Sequence, residues 1–470
     1  MWGLDRLLCT PEVRCGVATL GRMPGTSGTT GTGLAQTRAG ALVGAGGVAL
    51  GALGLTELAL ARRDDSLLDR LGEQVIAVLP VPLVEVGITL VGTADKTLLR
   101  GQLAATAVAA LAAPAASHRV PSPGPLTGAA AGLAGLAALA AARRRLAQRI
   151  PVGDPLLGGD APDRSGAART PVTGFYSTDV TMRPRVVDAA DWRLELRDAQ
   201  GRSASLGAAA LADLPLTQRD AVLACVHNRP GWDRLGQQRW TGLPIPDLLS
   251  AAGLSVPADD ADLDLVMTGA DGLVMVLPWR EAVARGSWLV TGMDGRPLTA
   301  AHGHPARVMT PGLVGQYNGV KWASSLHLAP AGSVRATWVA KGWPVGPVTV
   351  PPSARIDSPG RVGMPPRLPV GRVRVPARCE VRGTAWAPAH GGVAGVEVSV
   401  SGGPWRPADL EPDHGPASWR QWRLALDLPP GRHELAARCL AADGSVQAGT
   451  GRPPYPQGAD GFHRVRVRVG

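Results

Sequence analysis

Lysine is almost missing from this 470-residue chain and occurs only at positions 96, 321 and 341. Arginine supplies nearly all of the positive charge, and 48 basic against 38 acidic residues give a formal net charge of +10. The arginines are scattered, whereas nucleic-acid-binding proteins gather basic residues on one face or helix. We therefore expect no nucleic acid among the partners.

Cysteine and histidine are also scarce. Five cysteines, at positions 9, 15, 225, 379 and 439, do not form the paired framework of a disulfide-stabilised domain. Cys379 and Cys439 lie in strand-like segments, where buried free thiols are the default expectation and a cross-strand disulfide is the alternative. His118 is the only histidine before residue 150, so this region cannot supply the two axial imidazoles of a b-type haem. We expect no haem in this chain.

The first third of the chain is dominated by apolar runs. Residues 1–38 contain no sustained apolar run, and we expect them to form a disordered tail. Residues 39–61 are apolar apart from Thr56 and Glu57, which is long enough to cross a bilayer. Further apolar stretches cover residues 75–91, 101–116 and 126–142.

These runs predict a multi-pass membrane domain of three or four helices over residues 39–149. The alternative is a soluble Ala-rich bundle, but no charged face repeats through the runs. The stretch 75–91 is broken by prolines, so it reads as a kinked or re-entrant segment. If there are four spans, arginines in the tail and at 143–149 favour both ends in the cytoplasm, with the catalytic domain on that side of the cell membrane.

The pattern changes after a Pro/Gly/Asp-rich linker at residues 150–172. Residues 173–332 mix short strand-like runs with helical segments, which is typical of an α+β domain. Residues 333–470 form the last domain. From about residue 370 they carry short alternating runs separated by Gly, Pro and Asp, at the spacing of a β-sandwich.

Cys225 lies in the apolar run Leu223–Val226, which is followed by the polar residues His227 and Asn228. A strand should end here and a loop begin, which is where a scaffold presents a reactive or metal-binding side chain. The alternative is a buried cysteine that only packs, which is the commoner case.

A second cluster lies about eighty residues later, where a Gly-rich loop is bracketed by Arg307 and Lys321, with His302 beside it. Glycine lets backbone N–H groups approach an anion closely, and arginine offers a bidentate fork to phosphate. A phosphate-bearing cofactor whose metal is bound by one cysteine is one hypothesis. Turn-forming glycines with surface charges are the other.

Several separate motifs recur in one order, namely Phe175-Tyr176, Cys225-Val226-His227-Asn228, Trp240-Thr241-Gly242-Leu243-Pro244, His302-Gly303-His304-Pro305-Ala306-Arg307 and Gly319-Val320-Lys321-Trp322. In order and spacing they resemble the sulfite oxidase family of molybdopterin-dependent oxidoreductases, especially its membrane-anchored actinobacterial branch. The resemblance covers about residues 170–470. Residues 92–96, Gly-Thr-Ala-Asp-Lys, also resemble a segment between membrane helices in that branch.

The resemblance implies that Cys225 is the thiolate ligand of molybdenum and that Cys225 and Arg307 are the catalytic residues. It further implies that the pterin and its phosphate are held by Tyr176, His302, Arg307, Gly319, Val320 and Lys321, with looser matches at Ser177 and Thr268. It identifies the C-terminal part as an immunoglobulin-like dimerisation domain, which implies a homodimer.

Some positions depart from the family pattern. Ser177 stands where the relatives usually carry arginine, Asn228 is followed by Arg-Pro-Gly rather than a Gly-Gly pair, and Leu273 replaces a common aromatic residue. The full set of anion-binding arginines cannot be placed. Arg229, Arg234 and Arg239 follow Cys225, so either an anionic substrate or solvated loop arginines would explain them.

The resemblance implies two-electron oxygen-atom transfer at molybdenum, on sulfite or another small oxo compound. Because no haem domain precedes the catalytic region, electrons would leave through an acceptor protein or a quinone. The alternative is a degenerate, non-catalytic membrane protein that acts in binding or assembly, which the departures motivate.

Overall fold

The computed structural model describes residues 31–63, 65–79, 95–116, 125–148, 168–360 and 373–470. The N-terminal part of these residues is helical, with α1 (Gly31–Ala61), α2 (Leu67–Val78), α3 (Asp95–Ala116) and α4 (Pro125–Gln148). Helix α1 packs along α4 and also contacts α3. Most of the predicted re-entrant segment and of the predicted linker lies outside the described residues.

The first helix begins at Gly31 and therefore includes residues 31–38, which we had expected in the disordered tail. Residues such as Leu34, Ala35 and Gln36 have high helix propensity and extend the apolar helix backwards. Residues 1–30 of the tail lie outside the described ranges. Within those ranges, one stretch, Gly44–Ala61, is long and apolar enough to cross a membrane. Helices α3 and α4 lie where further spans were predicted, but the number of spans stays a prediction.

Glycines let α1 and α4 approach each other at backbone distance. A Cβ atom at Gly47 would overlap the carbonyl oxygen of Gly128, and one at Gly54 would overlap that of Gly135. Small residues at such crossings allow helices to gain close van der Waals contact. The Ala/Gly composition of this region thus has a packing role.

Residues 168–352 form a mixed α+β domain with two sheets. Its strands are β1 (Arg193–Arg197), β2 (Ser203–Gly207), β3 (Thr217–Ala224), β4 (Leu235–Pro244), β5 (Leu263–Gly269), β6 (Val274–Pro278), β7 (Trp288–Met293), β8 (Arg296–Pro297), β9 (Arg307–Met309) and β10 (Ala323–Pro330). Its helices are α5 (Ala208–Ala212), α6 (Ile245–Ala251), α7 (Trp279–Ala284), α8 (Gly315–Asn318) and α9 (Thr337–Ala340).

The first sheet has the order β2-β1-β10-β5-β6, in which β1 and β10 are parallel and the other pairs antiparallel. The second has the order β3-β4-β7-β8, with β9 paired to β7. Strand β3 ends at Ala224, so Cys225 is the first residue beyond it, at the strand end that the apolar run predicts. The β9 pairing places Arg307 at the start of a fully buried strand.

The C-terminal part is a β-sandwich, as predicted, formed by β11 (Ser353–Ser358), β12 (Val373–Val375), β13 (Arg378–Trp386), β14 (Val393–Val400), β15 (Arg406–Pro407), β16 (Asp409–Leu410), β17 (Arg420–Asp427), β18 (Gly431–Ala441) and β19 (His463–Val469). The sheet orders are β11-β13-β17-β16 and β12-β19-β18-β14-β15. Cys379 and Cys439 lie on strands of different sheets and are free thiols. The immunoglobulin-like topology stays a prediction.

The boundary between these two domains lies near residue 352 rather than at 333, where we had placed it. Val348 and Val350 belong to the core of the α+β domain. The Val314 N–H donates to the Val348 carbonyl at 3.0 Å, and the Val350 N–H donates to the Gly312 carbonyl at 2.8 Å. Residues 333–350 therefore pack back over the Gly-rich loop, a tertiary contact that local sequence patterns do not reveal.

Candidate active site

A cleft of about 860 Å³, counted out to its mouth, collects residues from distant parts of the α+β domain. It is lined by most of the predicted site residues, namely Tyr176, Ser177, Cys225, His302, Arg307, Gly319 and Lys321. It is also lined by residues that the sequence did not single out for this site, among them Asp179, His227, Asp271, Gln316 and Trp338.

Two predicted residues do not line this cleft. Thr268 lies in β5, where its carbonyl accepts a hydrogen bond from Ser324 Oγ at 3.1 Å. Val320 is 1% exposed and packs in the core, while its carbonyl accepts from the Val308 N–H at 2.9 Å. Val320 therefore shapes the loop from behind rather than facing the cavity.

Cys225 is held at the end of the β3–β4 hairpin. Its N–H donates to the Arg234 carbonyl at 2.9 Å, and its Sγ lies 3.7 Å from Nδ1 of His227. Burial by itself raises the pKa of the thiol, but the hydrogen bond and charge of His227, together with Arg234, lower the pKa below its ordinary value. The site thus favours a thiolate, the form in which cysteine binds metals.

The arginines after Cys225 have different environments. Arg234 is 5% exposed and its Nε has no hydrogen-bond partner. Arg239 is bound to Asp220 through Nη2 at 2.8 Å, and Arg229 lies over the Trp232 ring at 5.7 Å. None of the three is a freely solvated loop arginine, and Arg234 is the one that acts electrostatically on Cys225.

Arg307 is the buried cation of the cleft. One Nη donates to the His302 carbonyl at 3.3 Å, and the guanidinium carbon lies 5.6 Å from the Trp240 ring centroid. Burial lowers the pKa of Arg307 to about 10, so the side chain stays charged at neutral pH. Its Nε is buried without a hydrogen-bond partner.

His302 is neutral at neutral pH, because burial and the nearby Arg307 lower its pKa to about 4. Its Nδ1 lies 2.6 Å from Thr299 Oγ1, and its Nε2 lies 3.4 Å from the Phe175 carbonyl. Since a carbonyl only accepts, Nε2 carries the proton and Nδ1 accepts from the threonine hydroxyl. This places an N–H on the Phe175 side of the ring.

Lys321 lies at the end of the cleft that is formed by Ser177 and Asp179. Its Nζ donates to Ser177 Oγ at 3.3 Å and to the Ala301 carbonyl at 3.0 Å, and it forms an ion pair with Asp179. Burial lowers its pKa well below the ordinary value, and the charge of Lys96 adds to this. Asp179 was missed because it lies 142 residues away from Lys321 in sequence.

The Gly-rich loop has a backbone path that only glycine follows at position 319. Gly319 has φ +148°, and a Cβ atom there would overlap the Val308 carbonyl oxygen. Just before it, the side-chain Nε2 of Gln316 is buried at the cleft and has no hydrogen-bond partner among the described residues. Buried donors such as Gln316 Nε2 and Arg307 Nε are normally paired, so the cleft fits a ligand rich in acceptor atoms.

Comparison with known proteins gives these features a family. Residues 181–336 match the family described as oxidoreductase molybdopterin binding domain. This region is a molybdopterin-binding oxidoreductase domain, and it is similar to that of sulfite oxidases. The resemblance read from the sequence is therefore confirmed at the level of family and cofactor, whereas the membrane-anchored branch stays a prediction.

Mitochondrial sulfite oxidases from Macaca fascicularis and Homo sapiens are each 28% identical over 338 residues, covering 64% of this chain and 62% of theirs. The chain thus spans less than two thirds of the length of these sulfite oxidases. Among solved structures, the sulfane dehydrogenase SoxCD from Paracoccus pantotrophus aligns with a TM-score of 0.51 at 20% identity, over 62% of this chain and 80% of that one. That likeness concerns the fold.

Proposed function

We propose that the protein is a molybdenum-dependent oxidoreductase that binds molybdopterin in this cleft, with Cys225 as the thiolate ligand of the metal. The observation that carries the proposal is the placement of a thiol with a lowered pKa in one cleft with Arg307, His302 and Lys321. When bound, the cofactor supplies two-electron oxygen-atom-transfer chemistry, and the protein supplies binding, orientation and charge.

The residues of the cleft have separable roles in this proposal. Arg307 and Gln316 offer unpaired N–H donors to the acceptor atoms of the pterin. Lys321 and Ser177 lie together and would bind the phosphate, in place of the internal pair with Asp179. Gly319 keeps the loop close without a side chain in the way.

Replacing Cys225 with serine tests the metal ligand. We expect about one molybdenum per wild-type chain and a loss of at least about tenfold in Cys225→Ser, because a neutral hydroxyl is a poorer ligand than a thiolate. Metal analysis and fluorescence of the oxidised pterin measure the two parts of the cofactor. Cys379→Ser, a free thiol of the sandwich, is the matched control and should keep its molybdenum.

The outcomes separate two functions. A folded wild-type protein that contains neither molybdenum nor pterin would support the degenerate, non-catalytic alternative and end the proposal. Full molybdenum in Cys225→Ser would leave the enzyme in place but remove Cys225 as the ligand.

A small oxo anion such as sulfite is the substrate class that we propose. Burial and the charge of Cys225 raise the pKa of Tyr176 well above its usual value, and the buried Arg307 and Arg234 oppose this rise. Positive charge therefore surrounds the region next to Cys225, where a small anion would be stabilised. Sulfite oxidation and sulfoxide reduction, assayed on the same holoenzyme, distinguish the two directions of oxygen transfer.

We also propose that the protein is membrane-anchored and multi-pass, with the catalytic domain in the cytoplasm, and passes electrons to an acceptor protein or a quinone. The apolar stretch Gly44–Ala61 supports the anchor, and the arginines at 143–145 support the orientation. Reduction of a quinone analogue or a small cytochrome by the purified holoenzyme tests the electron path. A homodimer through the sandwich is a further proposal, tested by light scattering of the purified protein.

A further inference from the structure

The segment 177–183 joins the cleft to the N-terminal helices. Its first half lines the cleft through residues 177–180. Its second half, residues 181–183, lies against α2 and α3. One short stretch of chain thus has the cofactor cleft on one side and the helical region on the other.

Three of the contacts to the helices are made by the backbone of this segment. Lys96 Nζ donates to the Thr181 carbonyl at 2.6 Å, and Arg100 donates through Nη2 to the Met182 carbonyl at 2.6 Å. The Met182 N–H donates to Oε1 of Glu73 at 3.2 Å. Such contacts determine the path of the main chain rather than the orientation of one side chain.

Packing confirms how closely the segment is seated. The Met182 side chain is 2% exposed and lies over Gly72 of α2, where an added Cβ would come within 2.8 Å of its sulfur. Arg183 Nε lies 3.4 Å from Oδ2 of Asp69. The segment is therefore part of a packed interface and not a loop resting on the surface.

A buried charge network anchors the helical side of this interface. Asp69 accepts from Arg100 at 2.7 Å and from Arg143 at 3.2 Å, and Arg143 also lies 3.5 Å from the fully buried Glu57. Charges in such surroundings are stable only when they are paired. The network connects all four N-terminal helices to Arg100, which binds the segment.

The same segment carries the groups at the Lys321 end of the cleft. Asp179, two residues before Thr181, pairs with Lys321, and Ser177 accepts from the same Nζ. Lys96 is near enough for its charge to act on Lys321.

We propose that Lys96 and Arg100 are positioning residues of the cofactor site, which hold segment 177–183 from the helical region so that Ser177 and Lys321 surround the cofactor's phosphate. This inference rests on the proposed function. It assigns Lys96 and Arg100 of α3 a role in retaining molybdopterin, and it makes the N-terminal helices part of the site.

The test compares full-length wild type with Lys96→Met and Lys96→Arg, each purified in detergent. Lys96→Met removes one charge-assisted hydrogen bond, and we expect pterin to be lost about tenfold faster on dilution, with rescue by Lys96→Arg. Fluorescence of released, oxidised pterin measures the loss. Arg70→Ala, which breaks only the pair with Asp65 on the exposed face of α2, should behave as wild type.

Amide hydrogen exchange provides a readout that is independent of cofactor loading. In Lys96→Met we expect faster exchange across residues 178–183 and unchanged exchange in β5. Wild-type pterin retention together with wild-type exchange in Lys96→Met would overturn the inference. Loss of protection in β5 as well would show general unfolding of Lys96→Met. In that case Arg100→Lys, which keeps the charge but loses the planar fork, is tested by the same two measurements, and wild-type pterin retention and exchange in it would overturn the inference. Absence of cofactor from the wild type is the separate failure of the proposed function.

Discussion

His463 is a buried residue that joins the sandwich to the α+β domain. Its Nδ1 accepts the Ile356 N–H at 3.0 Å, and its ring lies against Gly231 in the loop that follows Cys225. Burial and the neighbouring Arg355 lower its pKa to about 4, against a small opposing effect of Asp357. The ring is therefore neutral in the folded protein at neutral pH.

The low pKa of His463 predicts a pH-dependent stability. Below about pH 6.5 His463 binds a proton in the unfolded chain, whereas in the folded protein it stays neutral down to about pH 4. The contribution of neutral His463 to the free energy of unfolding is therefore complete above pH 6.5 and is lost as the pH falls towards 4. Between pH 7 and pH 5 the loss should be about 2 kcal/mol. The variant His463→Asn keeps an acceptor near the Nδ1 position. In urea unfolding, its free energy of unfolding should fall less between pH 7 and pH 5 than that of the wild type, by this amount.

His433→Asn is the control for this experiment, because that ring bonds the Pro429 carbonyl at the surface. It should keep the wild-type pH dependence. If the free energy of unfolding of His463→Asn depended on pH as it does in the wild type, His463 would not have the lowered pKa that its burial implies.

Single residues were predicted where their local sequence carried the signal. Cys225 follows an apolar run at the end of a strand, and Arg307 and Lys321 flank a Gly-rich loop, so their positions could be predicted. Asp179 and Gln316 have no such signal, because their importance comes from partners or orientation that only the fold creates. Thr268 resembled a contact position by sequence, yet its strand turns it away from the cleft.

At the scale of elements, the glycine contact between α1 and α4 makes a sharp prediction. Gly135→Val should destabilise the helical region by about 2 kcal/mol, because the side chain would enter the space of the Leu50 backbone. Ala137→Val lies on the exposed face of the same helix and should have little effect. Thermal unfolding in detergent compares the two, and equal midpoints would show that the helices do not cross at this point.

Elements were easier to predict than their ends. The apolar runs indicated α3 and α4, and period-2 alternation indicated β1 and β19, since each pattern records which face is buried. The predicted end of the disordered tail at residue 38 was wrong, because helix propensity, and not hydrophobicity, extends α1 back to Gly31.

At the scale of the molecule, the sandwich shares a core with the α+β domain. Trp386 of β13 is 4% exposed and packs in the α+β core, and the Ala459 N–H donates to the carbonyl of Val226, next to Cys225. The Val222 N–H of β3 likewise donates to the Ala417 carbonyl at 2.8 Å. The sequence could not show that the two domains share a core, because the local sequence pattern of each domain reports only on its own helices and strands.

Trp386→Ala should therefore destabilise both domains, by about 3 to 5 kcal/mol. Hydrogen exchange in β3 should rise along with exchange in the sandwich. Trp405→Ala is the comparison, since Trp405 contacts Phe462 edge to face and lies under Arg438, outside that core, and its loss should leave β3 protected. Equal protection of β3 in both variants would mean that the domains are energetically independent.

The parallel pairing of β1 with β10 also determines when the cleft can exist. Glu195 of β1 pairs with Ser325 of β10, and the intervening chain contains every strand from β2 to β9. During synthesis, more than a hundred residues are added after β1 before its partner β10 leaves the ribosome, and Lys321 is synthesised just before β10. Folding that depends on such distant contacts is slow. The cleft therefore cannot form before residues 323–330 have been synthesised, so molybdopterin can enter only after most of the α+β domain has been made.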